Sequence, residues 1–242
     1  GTESPRRNKG EAYRVRVAGR LALMNDVIAP ALAFRFSMPI PCVDAIPRRG
    51  KRLLKLDESC RLHWPGAALG DDSPPIDLRV AWNEVGLGIE ARVSGKAHPP
   101  VSNPDMPDAT DGLQIWIDTR NTQTIHRANR FCHQFCLLPN GEGKDGLEPI
   151  VQQLPIGRAA DDAPTFPSER FTAKTEILSD GYRLEVWLPG DTLNGFDPEI
   201  SPRLGFYAML HDSEIGQHFL TVDSAFPVTN DPSLWQSLEL VS

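Results

Sequence analysis

Apolar side chains in this chain recur at every second residue, and almost nowhere at the helical spacing of three to four. YRVRV places Tyr13, Val15 and Val17 on one face and arginines on the other. LRVAW (78–82) and GLGIEARV (86–93) keep the same alternation and are joined by a short turn at Asn83-Glu84-Val85. LQIWID (113–118) directs Leu113, Ile115 and Ile117 to one side and Gln114, Trp116 and Asp118 to the other. In TEILSDGYRLEVWLP (175–189) the pair Asp180-Gly181 supplies the positive φ angles of a tight hairpin turn. Its second arm alternates Tyr182, Leu184, Val186 and Leu188 with Arg183, Glu185 and Trp187. RFCHQFCLLP (130–139), LGFYAMLHD (204–212), QHFLTVD (217–223) and LWQSLELV (234–241) read as further strands.

The 19 glycines and 22 prolines fall mainly between these segments, where they act as turn punctuation. Each proline inside a helix would cost about 3 kcal/mol, so a long coiled coil is excluded. Many short strands with Gly/Pro turns predict an all-β fold with minimal helix, an antiparallel β-sandwich or barrel. A polar tail is expected over residues 1–11, with one sandwich domain over 12–242. Segment 62–69 resembles a first sandwich strand, so residues before 78 are expected to elaborate the same domain.

The formal charge of −7 argues against phosphate-backbone binding, and hence against a nucleic-acid partner. No stretch reaches the ~20 apolar residues of a membrane span. The N-terminal GTESPRRNKG has no apolar leader segment. An extracytoplasmic location is expected if a leader has been removed, and a cytoplasmic one if the chain is complete. No GxSxG elbow, Walker loop or HExxH occurs. GEGKDG (141–146) reads as a loop, and no acidic pair stands in a recognisable glycosidase setting. The chain is therefore expected not to be an enzyme.

Four cysteines are too few for a disulfide scaffold, and a Cys42–Cys60 bond is left open. Cys132, His133 and Cys136 invite a metal reading. On a strand, however, the two thiols sit ~13 Å apart and the imidazole faces the other way. They read as small buried thiols. Asp105, Asp108 and Asp111, spaced by three in a Pro-rich loop, offer hard oxygen ligands and form a candidate calcium site.

In order along the chain, four segments resemble the family 9 carbohydrate-binding modules and the wider DOMON-like sandwich superfamily. LRVAWNEVGLGIEARV is similar to the family's "V-x-W-(turn)-L-Y-V-x-x-x-V" hairpin, with Trp82 at the tryptophan. DGLQIWID is similar to "D-S-V-E-I-F-I-D", with Asp111 and Asp118 at its aspartates. GYRLEVWLPGDTL is similar to "G-Y-x-x-E-x-x-I-P-W-x-x-L", keeping Tyr182, Glu185 and Leu193. RLGFYAMLHD and DPSLWQSLELV follow "I-G-F-N-x-x-V-x-D … D-P-x-x-F-G-x-L-x-L". The resemblance implies two packed antiparallel sheets and a non-catalytic carbohydrate-binding-like module.

The family's sugar clamp does not carry over. Its two tryptophans correspond to Asp108 and Thr229, its hydroxyl-accepting glutamate to Gln114, and its arginine to a position near Cys136. Gly190 replaces the tryptophan after "I-P". A rebuilt site is expected on the outward face of LQIWID, where Trp116 stands between Gln114 and Asp118, with Gln134 on the neighbouring strand. An aromatic ring flanked by amide and carboxylate suits a saccharide or glycan. The alternative is that long loops cover Trp116 and make a second core. Trp187 faces outward in the same way, and Trp64, Trp82 and Trp235 are expected in the core.

Two other classes follow from the superfamily resemblance. One is haem binding through Met209 or His211, which share a strand face and so need a further ligand such as Met106 or His126. The other is a protein partner seated on a sheet face.

Overall fold

The computed structural model describes residues 35–64 and 74–242; the YRVRV segment and most of 62–69 lie outside the described residues. In chain order the strands are β1 (Ser37–Pro41), β2 (Ile76–Asn83), β3 (Gly86–Ser94), β4 (Gly112–Asp118) and β5 (Cys132–Glu142). There follow β6 (Glu148–Leu154), β7 (Thr172–Leu178), β8 (Gly181–Pro189), β9 (Arg203–Asp212), β10 (Gly216–Phe219) and β11 (Gln236–Val241). The only helical pieces among the described residues are 3-10 turns of three residues each.

Two sheets form. The larger runs β1-β11-β9-β4-β5-β6, with β10 also paired to β9, and the smaller runs β2-β3-β8-β7. All pairings are antiparallel except β1 on β11, which is parallel. Among the described residues the strand assignments from the alternation hold, although QHFLTVD leaves the ladder after Phe219 and LWQSLELV enters it only at Gln236.

The tight turns are where glycine was expected. Gly181 has φ +152°, and a Cβ there would lie 2.1 Å from the Val93 carbonyl oxygen. Only glycine permits that approach of β8 to β3. GEGKDG forms the bulged tip of the β5–β6 hairpin.

Between the sheets lie Leu113, Ile115, Ile117, Phe206 and Leu210 from the larger one, against Leu78, Val80, Ile89, Tyr182 and Val186 from the smaller. Each is at most 1% exposed, and complete burial of such a side chain contributes about 1.5–3 kcal/mol. Trp64, Trp82 and Trp235 belong to the same core, as the alternation predicts. A second, smaller core lies outside the four-stranded sheet. There Ile46, Leu53, Leu54, Leu56 and Cys60 of the 43–62 strap cover Ala81 and Trp187. Gly88 sits beneath the strap, where an added Cβ would meet Ile46 Cδ1 and Leu54 Cδ2 at 3.0 Å.

Candidate functional site

The outer face of the larger sheet is where the alternation places Trp116. The register sets Trp116 directly opposite both Gln134 and Tyr207, and Gln114 opposite Cys136 and Met209. The four expected ligand residues therefore do share one face. They are not open to solvent: Trp116 is 0% exposed, Asp118 1%, Gln114 4% and Gln134 9%.

Loops bearing Ala128, Ile156, Leu220, Val222 and Val228 pack into the same apolar cluster as Trp116 and Tyr207. The Tyr207 hydroxyl donates to the Val222 carbonyl at 2.6 Å, fixing one of these loops on the sheet. Gln114 Nε2 donates to the Asp108 carbonyl, and Gln152 Nε2 to the Pro104 carbonyl, holding down another. Asp118 accepts the backbone N–H groups of Arg120 and Thr122, so its carboxylate closes a turn. Burial raises its pKa above the ordinary value despite those bonds. A void beside Cys132 and Leu154 measures about 10 Å³, room for no more than a water. Trp116 is thus a packing residue, its ring 5.5 Å from that of Tyr207, and the expectation of an open stacking surface is corrected. The cause is loop composition: apolar side chains beyond the strands cover the face, which strand periodicity cannot reveal.

The calcium set fares similarly. Asp105 and Asp108 are exposed, whereas Asp111 is buried, and no group of three potential ligands is assembled among the described residues. Asp111 instead faces Lys96, whose ammonium lies 2.6 Å from Asp212 and 3.5 Å from Asp111. All three side chains are at most 1% exposed. Burial raises the Asp111 pKa, but the N–H groups of Val101 and Ser213 and the Lys96 charge outweigh it, so the net shift is downward. The Asp111 carboxylate is thus already paired with a buried cation.

The cysteines are all free, so no Cys42–Cys60 bond forms. Cys132 and Cys136 are pushed up to about 12 by burial and are inert as thiolates. Of the suggested haem ligands, Met209 is buried and His211 points Nδ1 at the Thr110 carbonyl. His126 Nδ1 lies 3.0 Å from Asp231 and 3.1 Å from Ser233 Oγ. That trio is not a nucleophilic triad. Serine and aspartate meet the same ring nitrogen, whereas proton relay needs one on each.

The outer face of the smaller sheet is different. Its outward positions form two charged rungs: Arg79–Glu90–Glu185–Lys174 and Asp77–Arg92–Arg183–Glu176. In the first rung two carboxylates stand directly opposite one another, an arrangement that repels. The strap relieves it. Arg52 Nη2 donates to Glu90 at 2.8 Å and its Nε to Glu185 at 2.9 Å. Backbone N–H groups of Leu53, Leu54 and Lys55 donate to Glu185, and that of Leu56 to Glu90. Lys55 takes a left-handed φ of +53°, which turns consecutive N–H groups toward the carboxylates as an anion nest. Burial raises the Glu185 pKa, but these donors and Arg52 outweigh it and hold it below the ordinary value.

Beside the strap a cleft of about 430 Å³ stays open. It is lined by Arg52, Lys55, Arg61, Arg79, Arg92 and Arg183, against two carboxylates, Asp77 and Glu90. Only Arg183 and Glu185 of this region stand out in the alternation as outward polar positions of a named hairpin. The signal for the rest was the same alternation in IDLRVAWN and GLGIEARVS, whose polar positions carry alternating charge.

A family 9 carbohydrate-binding module from Caldicellulosiruptor kristjanssonii in complex with cellotriose superposes with a TM-score of 0.52 at 15% identity, covering 86% of this chain and 94% of that one. A family 9 module from the same organism in complex with glucose gives a TM-score of 0.53 at 15% identity, covering 85% and 95%. The chain therefore has a sandwich fold like that of family 9 carbohydrate-binding modules. No protein-family model and no curated protein matches the sequence.

Proposed function

We propose that this chain is a non-catalytic saccharide-binding module. The observation that carries the reading is the fold likeness, which spans nearly the whole chain and nearly the whole of two modules described with bound cellotriose and glucose. Binding without chemistry also fits the acidic groups. Glu90 and Glu185, a buried pair facing each other across β3 and β8, are both committed to strap N–H groups and Arg52, so neither is free to act as acid or base.

The ligand in this reading does not stack on Trp116, since that ring is buried in the main apolar cluster. Calorimetry with cellotriose and a glycan panel, run beside a glycosidase assay on the same sugars, tests it. Binding with no turnover is the expected result. Absence of binding to every sugar, or release of reducing ends, overturns it. Trp116→Phe is expected to leave any affinity unchanged. An absorption spectrum of the purified protein tests the haem alternative, and no Soret band is expected.

A further inference from the structure

The two like-charge rungs on the smaller sheet are treated unequally by the fold. Glu90 and Glu185 face each other and are bridged by Arg52. Arg92 and Arg183 also face each other across β3 and β8, and nothing in the described chain bridges them. Arg92 reaches sideways to Asp180 at 3.3 Å, a pair on the exposed rim. Arg183 Nη1 turns the other way, to Glu176 at 2.7 Å, and its Nε lies 3.5 Å from Glu90. Asp77, next to Arg92 on the same rung, is engaged instead by Arg79 at 2.8 Å. Two cations are left side by side at the open cleft, where an anion between them would do what Arg52 does for the glutamates.

The hydrogen-bonding inventory points to the same ligand chemistry. Nε and Nη1 of Arg92, Nη2 of Arg183 and the Lys55 ammonium donate to no group among the described residues. Every oxygen of the two lining carboxylates already accepts an N–H: Asp77 from Arg79, Glu90 from Arg52 and Leu56. A neutral sugar presents hydroxyls that both donate and accept, and the three side chains named here offer it only donors. An oxyanion only accepts, and an arginine fork matches it in two parallel bonds. The flanking acids Glu58, Glu176, Asp180 and Glu185 cancel the long-range field, so recognition is by short-range donors rather than by attraction at a distance.

We propose that the cleft between Arg92, Arg183 and Lys55 binds an oxyanion carried on a saccharide, a uronate or a sugar phosphate. The saccharide part rests on the function proposed above; the oxyanion part rests on the cleft alone.

Calorimetric titrations of the full chain with oligogalacturonate, inorganic phosphate and cellotriose, repeated on Arg92→Gln and Lys55→Gln, test both parts. Both side chains are exposed, so the variants are expected to fold, and a thermal melt without ligand checks this. Oligogalacturonate is expected to bind at least tenfold more tightly than cellotriose, with at least a tenfold loss in Arg92→Gln. Phosphate binding as well as the uronate, with the same loss, would uphold the oxyanion site and remove the saccharide reading. Cellotriose binding unaffected by either variant, with no uronate binding, would overturn the oxyanion site and leave the saccharide reading standing. No binding of any probe overturns both.

Discussion

The outer faces of the two sheets began from the same pattern, polar or amphipathic residues at alternate strand positions, and ended in opposite states. On the larger sheet, loops with apolar side chains close over Gln114, Trp116, Asp118 and Gln134, which are at most 9% exposed. On the smaller sheet, a strap covers Ala81 and Trp187, and beside it a cleft of about 430 Å³ is lined by arginines. The difference lies in what the strands carry outward. Trp116, Tyr207 and Met209 gain by losing water, whereas Arg92 and Arg183 lose by it. An aromatic ring in an outward strand position is therefore weaker evidence of a ligand site than a charged pair that the chain leaves unbridged.

The largest expected effect comes from emptying the covered face. Trp116→Ala should cost about 3–5 kcal/mol of stability in urea unfolding, the range for removing a buried aromatic. A loss under ~1 kcal/mol would mean that the face opens in solution and would break the contrast. A second large effect belongs to the strap. Glu185→Gln leaves Arg52 with one charge partner fewer and weakens three backbone bonds, at about 3 kcal/mol. Protease cutting within 43–57 should then outpace global unfolding.

A pH effect of intermediate size comes from the interior. His133 is 1% exposed, and burial lowers its pKa from 6.5 to about 4. The unfolded chain therefore takes up the proton first as pH falls. The stability contribution is fully present above pH 6.5, is lost progressively toward pH 4, and amounts to no more than ~3 kcal/mol. A flatter profile over that window in His133→Gln, followed by chemical denaturation, checks the assignment. The smallest effect is on the open face. Arg92→Gln removes one of two facing cations, so stability at low salt should hold or rise by up to ~1 kcal/mol, with the difference fading in 1 M salt. A loss of stability instead would mean that Arg92 is held by the fold and not by a missing anion.

Much of the fold was legible because strand alternation is a local signal with a strict period. The β7–β8 hairpin could be placed from Asp180-Gly181, and the pairing of Trp116 with Gln134 followed once the strand order was taken from the family resemblance. The parallel pairing of β1 was not legible, because the partner strand lies about 200 residues away and short strands carry no mark of direction. The surroundings of Asp111 were not legible for a similar reason. Lys96, 15 residues earlier on a loop, supplies its countercharge, and sequence distance does not measure space.

The period of two, with glycine and proline between the runs, determined by itself that this chain is all-β and which residues share a side of each strand, and the ordered family resemblance chose a sandwich over a barrel. Which outer face stays open was decided only by the tertiary structure. Burial depends on the side chains that distant loops and the strap bring to each sheet, and charge pairing depends on neighbours across strands. Neither quantity exists until the strands are in register.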